Sequence, residues 1–199
     1  MAIGQCFATI MLNYKDVVYI DVTDEEIELA DIYNDEMNQR KNNKSTHIYD
    51  KDGKQNSTGW ISHLAVEKYL ARMYPFYSKT TTRLVKHEVG QGDKYDIKFI
   101  EKYLIDVKGS AVKMRYPFED NVCMVVKREY QKIITKEINH FVFCRFEREK
   151  KRVAILGFIA VDEFDDIRKN TDNHQFLGQY KWGNPYVDVC DLTPITQMV

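Results

Sequence analysis

The stretch from Gly92 to Ser110, GDKYDIKFIEKYLIDVKGS, decides the fold at the centre of this 199-residue chain. Its apolar side chains fall on odd positions: Ile97, Phe99, Tyr103, Ile105 and Val107. This alternation predicts two β-strands, each with one buried face. The apolar faces of both strands coincide if Phe99 pairs with Tyr103 across a three-residue loop at 100–102.

The same register places Asp96 directly opposite Asp106, with Lys108 two residues further along the same face. Two carboxylates that face each other across a sheet repel unless a cation lies between them. Mg²⁺ suits such a site, because it takes carboxylate oxygens, keeps several waters and binds substrate phosphate. Lys108 can position or deprotonate a water, or stabilise charge on the phosphate. The spacing alone also fits a solvated hairpin face that carries alternating charges.

Asp93 competes with Asp96 as the first acidic residue, since its separation from Asp106 is also acceptable. It follows Gly90-Gln91-Gly92, a turn-like sequence, whereas Asp96 lies on the alternating strand. We therefore prefer Asp96.

A strand, a helix and a polar loop are predicted before this hairpin. Residues 17–22 form a β-branched run, and Thr23 with Glu26 makes a capping box that starts a helix reaching Met37. Residues 38–59 are nearly all polar and predict a loop. A second, mostly buried helix is expected from Trp60 to Met73, with Glu67 on its apolar side.

After the hairpin, apolar runs predict further strands at 122–126, 141–146 and 153–161, and an edge strand at 185–189. A short helix is expected at 162–167, where the acidic residues favour a helix start.

Composition indicates an ordered protein with one domain over residues 1–199, because 44% of residues are hydrophobic and only 4 are Pro and 9 Gly. The net charge of −1 gives no global basic excess, so any nucleic-acid contact must use local cations. The 13 tyrosines are either strand residues or a surface that stacks on bases. Four widely spaced cysteines suggest reduced thiols, and no membrane span is evident, so we expect a cytosolic protein.

The set Glu67, Asp96 and Asp106-Val107-Lys108 resembles the motif of the PD-(D/E)xK nuclease superfamily, whose fold is called restriction-endonuclease-like. Residues 59–110 carry the motif, although no proline precedes Asp96 and DxK replaces the commoner ExK. Further strands and the chain end weakly resemble small phage, viral or archaeal members. The resemblance implies an α/β fold, with a central mixed sheet flanked by helices.

By this resemblance Asp96 and Asp106 are metal ligands, Lys108 is the catalytic lysine, and the helical Glu67 completes the site. The backbone carbonyl of Val107 is expected to join them in holding Mg²⁺, which Mn²⁺ would replace. The implied activity is hydrolysis of phosphodiester bonds in nucleic acid, with DNA favoured over RNA. An inactive nucleic-acid-binding or regulatory protein of the same fold is the first alternative. An unrelated α/β interaction protein, dimeric through its aromatic strands, is the second.

Overall fold

The computed structural model describes residues 12–41, 54–76, 79–81, 96–100, 102–125, 130, 138–170 and 184–198. The helices are α1 (Asp24–Lys41), α2 (Lys54–Met73) and α3 (Val161–Ile167). The strands are β1 (Val18–Asp21), β2 (Lys79–Thr81), β3 (Ile97–Phe99), β4 (Tyr103–Ser110), β5 (Val122–Met124), β6 (His140–Glu147), β7 (Arg152–Ala160), β8 (Lys169–Asn170) and β9 (Pro185–Asp188). Asp93 lies outside the described residues. No described helix has the length and apolar character that a membrane crossing requires.

The six-stranded main sheet has the order β1-β7-β6-β4-β3-β2. Strands β4 and β6 are parallel and the other neighbours are antiparallel, so the sheet is mixed, as predicted. Parallel neighbours need a long crossover, and the chain between β4 and β6 provides one by leaving the sheet to form β5. Strand β4 therefore lies inside the sheet between β6 and β3, and Asp106 and Val107 on its two faces are both buried.

Helices α1 and α2 cover one face of the main sheet. The core between them contains Ala65 and Leu70 of α2 together with Ile105 and Val107 of β4. The first turn of α1 has the predicted capping box, since Thr23 Oγ1 accepts a hydrogen bond from Glu26 N at 3.2 Å and Glu26 Oε2 accepts one from Thr23 N at 2.9 Å.

A small second sheet, in the order β5-β9-β8, covers the other face together with α3. Its core joins Phe141 and Phe143 of β6 to Phe164 of α3 and Val187 of β9. The prediction of a strand at 185–189 is confirmed, but its position as an edge strand is wrong, because β9 pairs with both β5 and β8. Cys123, Cys144 and Cys190 are buried free thiols, as expected.

Both predicted ends of the polar loop at 38–59 are helical. Helix α1 continues to Lys41 and α2 begins at Lys54, so Gly59 lies inside a helix instead of before one. A glycine inside a helix costs only about 1 kcal/mol relative to alanine. Ser57 and Thr58 directly before it are buried, so this turn of α2 packs against the rest of the protein.

We expect Gly59→Ala to stabilise the protein by about 0.5–1 kcal/mol, because alanine loses less conformational entropy in a helix. A Cβ atom added at Gly59 meets nothing within 4 Å, so the change introduces no clash. Urea unfolding followed by circular dichroism measures the free energy of unfolding. A less stable Gly59→Ala variant would mean that this turn of α2 is not helical in solution.

Candidate active site

The hairpin of β3 and β4 has the predicted register. Phe99 pairs with Tyr103 and Ile97 pairs with Ile105, which confirms the three-residue loop at 100–102. Ile100 has a φ of 47°, in the left-handed region, where the chain turns between the strands. All the apolar odd positions of this hairpin are buried in the core beneath α2. The even positions therefore face the opposite side of the sheet.

Asp96 lies one residue before β3 and is held by two backbone contacts with β4. Its amide nitrogen donates to the carbonyl oxygen of Ile105 at 2.8 Å. Its Oδ2 atom accepts a hydrogen bond from the amide nitrogen of Val107 at 2.7 Å. The carboxylate is thereby fixed beside β4, at the level of Asp106. This contact gives the Val107 backbone a role in the site through its N–H group, whereas its predicted role as a carbonyl metal ligand stays a prediction.

Asp106 is buried because its neighbour on β6 is Phe141, whose ring belongs to the second core. Its Oδ2 atom is closed off from solvent and lies 2.9 Å from Lys108 Nζ. The two side chains are only 12% and 16% exposed, respectively. The buried Asp106 carboxylate and the mostly buried Lys108 ammonium thus form a close ion pair, as expected for side chains two residues apart on one face of a strand.

Burial raises the pKa of Asp106, the Lys108 ammonium lowers it and the adjacent Asp96 carboxylate raises it, and together these effects place it at about 6. Burial disfavours the charged form of a carboxyl group, and a like charge nearby does the same. Keeping both carboxylates ionised therefore costs free energy, and a bound cation would lower that free energy. Strong perturbation of this kind is typical of functional sites.

Glu67 is also buried, with 8% of its surface exposed, but it lies elsewhere on α2. At about 3.6 residues per turn, Glu67 is rotated roughly 150° around the helix axis from the midpoint of Ala65 and Val66, which face the sheet. Helix α2 also covers the face of β4 opposite to Asp106. No three His, Cys, Asp or Glu side chains among the described residues form a group that could hold a metal ion, so Glu67 is not gathered into a cluster with Asp96 and Asp106. Its part in the site stays a prediction.

Gly109 provides a contact between α2 and β4 that the sequence did not indicate. A Cβ atom at this position would lie 2.4 Å from Ser62 Oγ and 2.7 Å from the carbonyl oxygen of Thr58. Only glycine therefore lets the backbone of β4 come this close to α2, directly after Lys108. A Gly-Ser pair such as Gly109-Ser110 commonly marks a turn, and for that reason this packing role could not be predicted from the sequence.

We expect Gly109→Ala to destabilise the protein by about 1–3 kcal/mol, since the α2 backbone must move to admit the methyl group. The shift also displaces Lys108, so we expect any activity of the site to fall. Urea unfolding of this variant, with Gly59→Ala as the matched glycine-to-alanine control on open space, measures the effect. Equal stability of Gly109→Ala and the parent would contradict the close packing of α2 on β4.

The donor set of Asp96 and Asp106 fits a hard divalent cation. Both are carboxylates, burial raises the pKa of Asp106 by disfavouring its charged form, and the two groups lie close enough that their mutual repulsion raises that pKa further. Mg²⁺ is commonly held by only one or two carboxylates and completes its shell with water and phosphate. Two acidic residues are therefore enough for the ion that the sequence predicts.

Comparison of the chain with protein-family models, with curated proteins and with solved structures gave no match.

Proposed function

We propose that the protein is a metal-dependent nuclease with a restriction-endonuclease-like fold, acting on DNA in preference to RNA. The observation that carries the proposal is the hairpin register, which sets Asp96 beside the buried Asp106, with Lys108 Nζ 2.9 Å from that carboxylate. The arrangement of helices on one face of a mixed sheet supports it. The proposal places the activity in the cell cytoplasm, or in the host cytoplasm for a viral protein.

In this mechanism Asp96 and Asp106 would hold Mg²⁺, or Mn²⁺ in its place, next to the scissile phosphate. Such an ion would supply positive charge against the phosphate and would make the attacking water more acidic. The amide of Val107 keeps the Asp96 carboxylate in place, so no reorganisation is needed when substrate arrives. As an ammonium cation, Lys108 would add a second positive charge on the same face and orient the attacking water; only as the neutral amine would its Nζ atom accept the proton of that water.

The surroundings of the site supply further positive charge. Lys98 lies on β3, two residues after Asp96 and on the same face by strand alternation. Arg145 of β6 pairs in register with Ser110, but it is buried and donates to the carbonyl oxygen of Val122 at 2.6 Å. We therefore assign Lys98 to the substrate face and Arg145 to anchoring β5. Local cations of this kind offset the acidic pair in a protein of net charge −1.

A panel of labelled nucleic acids tests the proposed activity. Single-stranded, duplex and branched DNA and the matching RNAs are incubated with Mg²⁺, with Mn²⁺ and with EDTA, and the products are separated on gels. We expect cleavage of at least one DNA substrate that requires a divalent ion and stops with EDTA. If every substrate stays intact in both metals, the nuclease proposal fails.

An inactive nucleic-acid-binding or regulatory protein of the same fold is the second candidate. It is favoured by one observation, namely that the described residues provide no third acidic, histidine or cysteine ligand for the ion. Calorimetric titration with Mn²⁺ separates the two candidates. Saturable binding that disappears in Asp106→Asn supports the nuclease, and no binding supports the inactive protein.

A further inference from the structure

Two tyrosine rings stand exposed and in contact on the second side of the main sheet. Tyr14, in the turn before β1, is 41% exposed, and Tyr116, between β4 and β5, is 71% exposed. Their ring centroids are 5.9 Å apart, with an interplanar angle of 56°. We call this pair the tyrosine platform. Adjacent large rings left in contact with water commonly mark an interaction site.

The rest of the protein holds the Tyr14 ring in place, and the Tyr116 ring rests against it. Tyr14 Oη accepts a hydrogen bond from Tyr19 Oη at 3.1 Å, and its ring packs edge-on against the buried Phe118. The Tyr19 ring in turn lies 4.1 Å from the guanidinium of Arg152, which pairs with Glu147. Because Tyr14 is held by these contacts before any partner binds, its side chain loses little entropy on binding.

The platform is bordered by cations. From Ala111 to Tyr116 the chain carries Lys113 and Arg115 and no acidic residue. Both cations are exposed, as is Lys15, the neighbour of Tyr14. The adjacent Asp16 is occupied in capping, where its Oδ2 atom accepts a hydrogen bond from the amide nitrogen of Asn13. Exposed aromatic rings can stack on unpaired bases, and neighbouring cations can contact the phosphates of the same nucleic-acid strand.

The platform is connected directly to the candidate active site. The segment 111–116 begins directly after β4, three residues after Lys108. Met114 packs against the same core as Phe141, the neighbour of Asp106, so the segment follows the side of the sheet that carries the acidic pair. Three inter-strand spacings separate β1 from β4, which is about 15 Å. A strand of a few nucleotides spans that distance.

We propose that Tyr14 and Tyr116 stack on the bases of a single-stranded nucleic acid, whose phosphates contact Lys113 and Arg115 on the way to the active site. The inference rests on the proposed nuclease function and narrows it to substrates that have a single-stranded segment. Duplex bases are already stacked and paired, so they do not offer their faces to the platform.

Fluorescence anisotropy in EDTA tests the proposal by binding alone, independently of cleavage. The probe is a labelled DNA single strand of about 12 nucleotides, a length within the usual range for single-strand sites. Loss of base stacking costs about 1–3 kcal/mol per base, so we expect Tyr116→Ala to raise the dissociation constant about 5- to 150-fold. Tyr116→Phe keeps the ring and should bind like the parent. Phe76→Ala removes a 99% exposed ring at the end of α2 and is the matched control, with no expected effect.

The results separate this proposal from the nuclease proposal. Unchanged binding by Tyr116→Ala, an equal loss in Phe76→Ala, or an equal loss for a duplex of the same sequence would each overturn the platform. Absence of any oligonucleotide binding in EDTA would overturn it as well. If binding depends on Tyr116 while the parent cleaves nothing in Mg²⁺ or Mn²⁺, the platform stands and the nuclease proposal falls.

Discussion

Replacing Lys108 with alanine should lower the single-turnover rate of DNA cleavage about 10²- to 10⁴-fold, the range that one positioned proton-transfer group contributes. Lys108 Nζ is 2.9 Å from Asp106 Oδ2 and the Lys108 side chain is only 16% exposed, so a water molecule or another lysine does not easily take its place. The rate is measured with saturating enzyme, Mg²⁺ and the best substrate of the gel panel. Circular dichroism of each variant verifies that the fold is retained.

The hairpin offers a matched control for this result. Lys102 lies in the turn between β3 and β4, and its Nζ atom is 4.8 Å from the centroid of the Tyr103 ring, which belongs to the core beneath α2. Lys102→Ala therefore removes the same charge from the same hairpin on the opposite face, and we expect it to cleave like the parent. Equal rates for Lys108→Ala and Lys102→Ala would show that Lys108 takes no part in catalysis.

The second large effect is on the pH dependence of stability without metal. Because burial raises the pKa of Asp106 from 3.8 to about 6, the folded protein binds an extra proton between these pH values. The stability that protonated Asp106 contributes to the folded protein is fully present below pH 3.8, and it is lost as the pH rises through 6. Two pKa units correspond to about 3 kcal/mol. Relative to the parent, Asp106→Asn should therefore gain about 3 kcal/mol in the free energy of unfolding between pH 4 and pH 8, measured by urea unfolding in EDTA.

Asp165 provides a control of opposite sign. Its hydrogen bonds with Arg168 and Tyr130 lower its pKa, so the stability that it contributes is present above its unfolded pKa and is lost as the pH falls. Asp165→Asn should therefore lose stability relative to the parent as the pH rises, by a small amount because the group is exposed. A parallel pH dependence for Asp106→Asn and the parent would mean that Asp106 is not buried as a carboxylate beside Asp96.

The hairpin of β3 and β4 could be predicted because its information is local. Alternating side chains and one short loop fix the register of β3 and β4, and that register alone brings Asp96 to Asp106. The same reasoning located β1, β6, β7 and α3, whose apolar runs or acidic starts lie within a few residues.

Features that depend on distant parts of the chain could not be predicted in this way. The start of α2 was missed because Gly59 was interpreted as a break, while burial of Ser57 and Thr58 keeps the helix intact. The close approach of β4 to α2 at Gly109 can be predicted only once the position of α2 is known. In the same way, the central position of β9 in the second sheet depends on where β5 and β8 lie. The orientation of Glu67 likewise follows from which side of α2 packs on the sheet. The tyrosine platform joins residues 14 and 116, and spacing along the sequence carries no sign of that contact.

The most direct test of the central claim compares the parent with Asp106→Asn, purified in the same way, as Mn²⁺ is titrated into a cleavage assay on the best DNA substrate. If Asp96 and Asp106 hold the ion, the rate of the parent rises with Mn²⁺ and saturates, while the variant stays at the level seen in EDTA. Equal cleavage by both proteins, or no cleavage by the parent at any Mn²⁺ concentration, would contradict the claim.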